Sequence, residues 1–126
     1  MVKVLVSGAC GRMGQAVLKA VLEDNELELA GAVDLRGGMD AGELVGMGKS
    51  GILVTTDLEK TMDAMQPEVM VDFTRPDVVF QDACTALQKG VSPVIGTTGL
   101  ADEAKKELAD LAEKNHTPAF IAPNFA

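Results

Sequence analysis

Hydrophobic positions along the chain fall into two alternating rhythms. Short runs rich in valine, isoleucine and alanine recur at residues 2–7, 27–33, 69–73, 92–96 and 119–122, with a weaker run at 52–55. They are apolar at successive positions, which predicts parallel strands covered on both faces; a half-exposed antiparallel strand would alternate. Between them, apolar residues return at the three-and-four spacing of a helix face. Met13, Ala16, Val17, Ala20 and Val21 form the clearest stripe, followed by Leu58, Met62 and Met65, then Val79, Ala83, Ala86 and Leu87, then Ala104, Leu108, Leu111 and Ala112. Asp57, Asp77 and Asp102 stand at or near helix starts, where a carboxylate satisfies free amides, and Gly90 after Lys89 reads as a left-handed stop. The glycine-rich segment 37–51 reads as a mobile surface loop with a short helical turn around residues 40–45.

Strands alternating with helices imply an α/β architecture: a Rossmann-type doubly wound parallel sheet of about six strands with helices on both faces. A chain of 126 residues is one domain's worth, and no internal boundary, repeat or low-complexity tract interrupts it.

Candidate chemistry clusters where such a sheet binds ligands, beyond the carboxyl ends of its strands. The first strand runs directly into Gly8, Ala9, Cys10, Gly11, Arg12, Met13 and Gly14. Gly8 permits a tight turn, Gly11 lets backbone approach a pyrophosphate, and Gly14 lets helix and strand pack closely. Taken alone, the same triplet also fits an ordinary strand-to-helix turn. Asp34 closes the second run, 20 residues beyond Gly14, where a carboxylate accepts hydrogen bonds from ribose hydroxyls, so the pair points to a dinucleotide. Arg36 is placed either to meet a ribose 2'-phosphate or to sit solvated in the loop, leaving NADH and NADPH both open. Two further strand ends, Asp72-Phe73-Thr74-Arg75-Pro76 and Gly96-Thr97-Thr98-Gly99, offer hydroxyl and backbone groups for a nicotinamide ribose and carboxamide, with Phe73 as an apolar wall. Helix capping by Thr74 and Thr98 is the alternative use of those residues.

Composition narrows the partners. The chain is 47% hydrophobic and 24% charged without a long apolar run, the profile of a soluble domain, and a cytoplasmic location is expected. A formal charge of -8 repels nucleic-acid backbones and anionic lipid, so neither nucleic acid nor membrane is expected as a partner. Yet all three arginines, Arg12, Arg36 and Arg75, fall just past a strand end, consistent with a local anion pocket. Cys10 and Cys84 lack metal-ligand spacing and are expected as free thiols, with Cys10 filling the loop. No metal site is indicated, and the scattered methionines read as core or loop filling. His116, the only histidine, is expected at a helix end rather than as a catalytic acid.

Together GACGRMG, AGAVD, DFTRP, VIGTTG and the closing APNF resemble 4-hydroxy-tetrahydrodipicolinate reductase, also called dihydrodipicolinate reductase, over the whole chain. The resemblance implies the cofactor half of a two-domain, usually homotetrameric enzyme of the diaminopimelate route to lysine. Such an enzyme reduces its cyclic substrate with hydride from NADH or NADPH. On its motifs, Gly8, Ala9, Cys10, Gly11, Arg12 and Met13 would cradle the pyrophosphate, and Asp34 would take the ribose. Arg36 lies one residue from the family's basic position. Phe73, Thr74, Gly96, Thr97 and Thr98 would line the nicotinamide end, and Ala122, Pro123, Asn124 and Phe125 would touch the cofactor where the chain crosses to a second domain. The family's substrate domain, with its HHxxK motif and PSGT segment, has no counterpart in these 126 residues. No catalytic residue is therefore assigned, and the chain alone is expected to bind cofactor without turnover, as a monomer or weak dimer. Two rival readings are a nicotinamide-sensing module that signals through the 37–51 loop and a domain for coenzyme A or S-adenosylmethionine.

Overall fold

The computed structural model describes residues 1–122. In chain order the elements are β1 (Val2–Ser7), α1 (Arg12–Glu23), β2 (Leu27–Val33), α2 (Ala41–Leu44), β3 (Val54–Thr55), α3 (Leu58–Met65), β4 (Val69–Asp72), α4 (Pro76–Gln88), β5 (Ser92–Ile95), α5 (Asp102–Lys114) and β6 (Phe120–Ile121). The six strands are all parallel, in the order β3-β2-β1-β4-β5-β6. From β1 the chain winds outward through β2 to β3, then crosses back to β4 and winds the other way. The reversal lies between β1 and β4, where loops leaving in opposite directions open a crevice.

Strand parity decides what each helix covers. Val4 and Val6 of β1 point to one face and pack with Leu18 and Val21 of α1. On the opposite face Leu5 and Met70 meet Met62 of α3 and Ala86 of α4, while Ile95 meets Val79, Ala83 and Leu87 of α4 and Leu108 of α5. Full burial of a side chain such as Leu18 or Leu87 stabilises by roughly 1.5–3 kcal/mol.

Three expectations need correction. The α1 stripe is rotated: Gly14, Leu18 and Val21 are buried, whereas Ala16 and Ala20 are exposed. Gly14 seats the helix against the β1 turn and fixes its rotation, and alanine suits either side. The far half of the sheet is covered fully on only one face. In β4 and β5, Val69, Val71, Ser92 and Val94 are only half-buried, and their neighbour Phe120 is 55% exposed. Finally, residues 37–51 are not a loose loop. The carboxylate of Asp40, itself buried, accepts from the amides of Gly42, Glu43, Ser50 and Gly51 and from the Ser50 hydroxyl, at 2.8 to 3.1 Å. The short helical turn at residues 41–44 is present, with Asp40 as its cap.

Candidate functional site

The turn after β1 is built by its glycines. Gly8 has φ +82°, and a side chain there would press the backbone of Phe73 and Thr74 at 3.2 to 3.4 Å. Gly14 is more constrained: a Cβ would lie 1.9 Å from the Gly8 carbonyl oxygen. Gly11 differs, since a Cβ there meets only the Gly8 oxygen at an ordinary 3.5 Å. Protein packing requires glycine at 8 and 14; at 11 the space it leaves opens outward.

Backbone donors in this turn divide into engaged and free. The amides of Gly8 and Ala9 both donate to the Val33 carbonyl, at 2.9 and 3.1 Å, and the Cys10 amide donates to Asp34 Oδ2 at 2.7 Å. Gln15 Nε2 donates to the Cys10 carbonyl and pins the turn. The loop residues at the strand end thus supply shape, and the amides without a partner among the described residues are those of Arg12, Met13 and Gly14 in the first turn of α1. That helix start has no side-chain cap and no acidic residue in its first turn, whereas α2, α3, α4 and α5 each carry one there. Its positive end is left uncompensated, as an anion site requires.

Beside the turn, Asp34 is held with its carboxylate fixed by two amides, Cys10 on Oδ2 and Leu35 on Oδ1 at 2.6 Å. The Cys10 thiol approaches the Arg36 carbonyl at 3.9 Å. Burial and then the Asp34 charge push its pKa up, so the thiol stays protonated, and filling is its role. Leu35, 92% exposed, and Arg36, also exposed, form the outer rim.

Across the crevice, Phe73 and Thr74 follow β4. The Phe73 ring lies over Gly96, where a Cβ would come within 2.1 Å of ring carbon, and the Thr97 hydroxyl donates to the Thr74 carbonyl. Neither Thr74 nor Thr98 caps a helix. The Thr74 hydroxyl and amide both donate to Asp72 Oδ1, and the caps of α4 and α5 are Arg75 and Ala101. Arg75 forms an exposed ion pair with Asp77 at 3.5 Å.

These residues enclose a cleft of about 670 Å³ that brings together Gly8, Cys10, Gly11, Asp34, Arg36, Phe73, Thr74, Thr97 and Thr98. Its lining also includes Arg75 and Pro76 of the DFTRP strand end, and Leu35 and Val78, which the motifs did not point to. Other expected residues stand outside the lining. Ala9 is buried beneath the turn, Gly96 lies behind the Phe73 ring, and Arg12 and Met13 open the first turn of α1. Ala122 follows β6 and donates to the Ile95 carbonyl, while Pro123, Asn124 and Phe125 lie outside the described residues. A wider, shallow depression of about 890 Å³ at the far end of α1 is lined by Glu23, Asp24 and Glu26 against one cation, Lys19, a balance that disfavours a phosphate. Among the described residues no cluster of His, Cys, Asp or Glu is arranged to hold a metal, and His116 is exposed beyond α5 with φ +52°.

Comparison with known proteins gives the family and the fold. The family model described as dihydrodipicolinate reductase, N-terminus, matches residues 2–125. A protein named 4-hydroxy-tetrahydrodipicolinate reductase from Rippkaea orientalis is 41% identical over 100% of this chain and 48% of its own length. Another of that name from Syntrophomonas wolfei is 45% identical over 98% of this chain and 47% of its own. A dipicolinate-bound dihydrodipicolinate reductase from Paenisporosarcina sp. TG-14 superimposes with a TM-score of 0.82 at 33% identity, covering 100% of this chain and 48% of that one. The chain spans about half the length of the relatives it matches.

Proposed function

The chain belongs to the dihydrodipicolinate reductase family, as its N-terminal region, and from that premise we propose that its crevice holds the NADH or NADPH from which such an enzyme reduces a cyclic dihydrodipicolinate-type substrate in lysine and diaminopimelate biosynthesis. The reduced nicotinamide supplies the hydride. The free amides of Arg12, Met13 and Gly14 and the bare α1 terminus would receive the diphosphate, with Gly11 leaving room for it. Asp34, held by two amides, would accept from the ribose hydroxyls, and Arg36 is the side chain available to a 2'-phosphate. Phe73 and Thr74, braced by Gly96 and Thr97, with Thr98 at the lining, would bound the nicotinamide end.

The observation that carries this reading is the combination at the β1–β4 switch point: a helix start without a side-chain cap, its amides unpartnered among the described residues, beside a carboxylate anchored at the end of the neighbouring strand. Among the described residues the crevice offers arginines and threonines but no side chain suited to deliver a proton to the substrate. No histidine or lysine lines the crevice. The 126 residues are therefore expected to bind cofactor without turnover, as a monomer or weak dimer. Titration of the chain into NADH, following nicotinamide fluorescence, tests this. We expect saturable binding, with Asp34→Ala weakening it about tenfold or more, equivalent to ~1.4 kcal/mol. Absence of saturation by a folded sample up to about millimolar NADH, a ceiling corresponding to ~4 kcal/mol of affinity, would overturn the assignment.

A further inference from the structure

Asp72 ends the apolar run of β4, and strand parity turns it away from the crevice and under α4. It is fully buried. Its Oδ1 accepts from the amide and hydroxyl of Thr74, but Oδ2 finds no N–H or O–H donor among the described residues. The group facing it is another acid: Asp82 of half-buried α4 surface, whose own Oδ2 accepts from the Ser7 hydroxyl of β1 at 3.3 Å. Two carboxylates with no cation between them cannot both be ionised in such a site at low cost. A single proton resolves the contact, because it makes one acid the donor the other lacks.

We propose that Asp72 and Asp82 share one proton across the β4–α4 contact, and that this proton keeps Thr74 in place and so shapes the nicotinamide end of the crevice. The proton resides on Asp72 Oδ2 and is donated to the Asp82 carboxylate; neither acid touches the cofactor, and both are positioning residues. Thr74 is the relay. It is tied inward to Asp72 Oδ1, and its carbonyl receives the Thr97 hydroxyl, which joins the β4 and β5 loops over the cleft. Loss of the proton leaves two facing charges behind Thr74, pushing α4 from β4 and loosening that junction. Burial above all, and then the neighbouring Asp82, hold the Asp72 pKa up at about 8, so the change falls in the mildly alkaline range. The surrounding elements add no compensating charge: β1 presents Ser7, β5 presents Ile95, and α4 presents Asp82.

The cofactor half of the proposal rests on the reading of the crevice as a nicotinamide site, and the test separates the two. Cys10 lines the cleft and titrates in the alkaline range, so all samples carry Cys10→Ser. Carbon NMR of labelled aspartate carboxyls reads the proton directly without cofactor. We expect Asp72 protonated at about pH 6 and titrating above neutrality, with Asp82→Asn lowering its midpoint by more than about one pH unit. NADH titrations should lose affinity about fivefold or more between about pH 7 and pH 9.5, and Asp72→Asn, whose amide supplies a permanent donor toward Asp82, should abolish that loss. An ionised Asp72 at about pH 6 would overturn the shared proton while leaving cofactor binding standing. An identical alkaline loss in Asp72→Asn would overturn the link to the crevice. Failure of NADH to bind at any pH would overturn the cofactor reading, and the link with it, whatever the carbon titration gave.

Discussion

At the scale of single residues, the three glycines of the β1 turn were legible in the sequence, down to the turn at Gly8 and the close packing at Gly14; what only the structure supplies is how strictly each position excludes a side chain. Gly14 is compulsory because its missing Cβ is where the Gly8 carbonyl sits, at 1.9 Å; Gly11 has only an ordinary contact. The two substitutions to alanine should therefore part company. Gly14→Ala should destabilise the fold by roughly 2–3 kcal/mol through backbone displacement, seen as a lower midpoint in urea. Gly11→Ala should cost less than about 1 kcal/mol of stability, the range for an N-cap exchange, yet weaken NADH binding about tenfold. Equal losses of stability would mean that Gly11 serves packing alone. Asp72 was the residue whose role the sequence hid. In the string VMVDF it reads as the polar end of a strand, and only parity against Ser7 and Ile95 reveals that it points beneath α4 instead of into the crevice.

At the scale of elements, the strand runs transferred to the structure with ends moved by a residue or two, because a valine-rich run bounded by glycine has few alternatives. The segment 37–51 did not transfer. Glycine abundance suggests freedom, but it also records close approach: a Cβ on Gly42 would lie 2.2 Å from the Gly48 carbonyl oxygen, so that glycine exists to let the loop fold onto itself. Asp40 is the hub, and its five accepted hydrogen bonds hold its carboxyl well below the usual range. Because the folded state binds a proton here more weakly than the unfolded chain, the contribution to stability is present above the ordinary carboxylate pKa of about 4 and is lost as acid drives pH down through the lowered value. Amide exchange at Gly42, Glu43, Ser50 and Gly51 should accordingly be slow at about pH 5 and lose its protection only in strong acid, before the central strand opens. Asp40→Ala should remove that protection at every pH and expose the loop to protease. Unchanged exchange in Asp40→Ala would show that glycine packing, and not the carboxylate, orders the segment.

At the scale of the whole molecule, alternating strand and helix patterns were enough to imply the doubly wound sheet, since a parallel strand pair leaves little choice of connection or hand. What they could not reveal was that the β4–β5–β6 half is covered fully on only one face, because valine suits a half-buried strand as well as a buried one. Among the described residues no helix is long and apolar enough to cross a membrane. The charge balance sets two fields against each other at the crevice. The chain as a whole carries -8 and repels an anionic dinucleotide at long range, while Arg12, Arg36 and Arg75 stand exposed near the strand ends and attract it at short range. Salt screens beyond roughly 10 Å at 0.1 M but acts much less on contacts inside the cleft. Raising ionic strength from about 20 to about 200 mM should thus speed NADH association, by roughly two- to threefold, and leave dissociation nearly unchanged in stopped-flow fluorescence. A slower association would mean that the arginines govern the encounter as well as the bound state, and that Arg75 spends little time with Asp77, which at 3.5 Å and in full solvent is a pair worth little by itself.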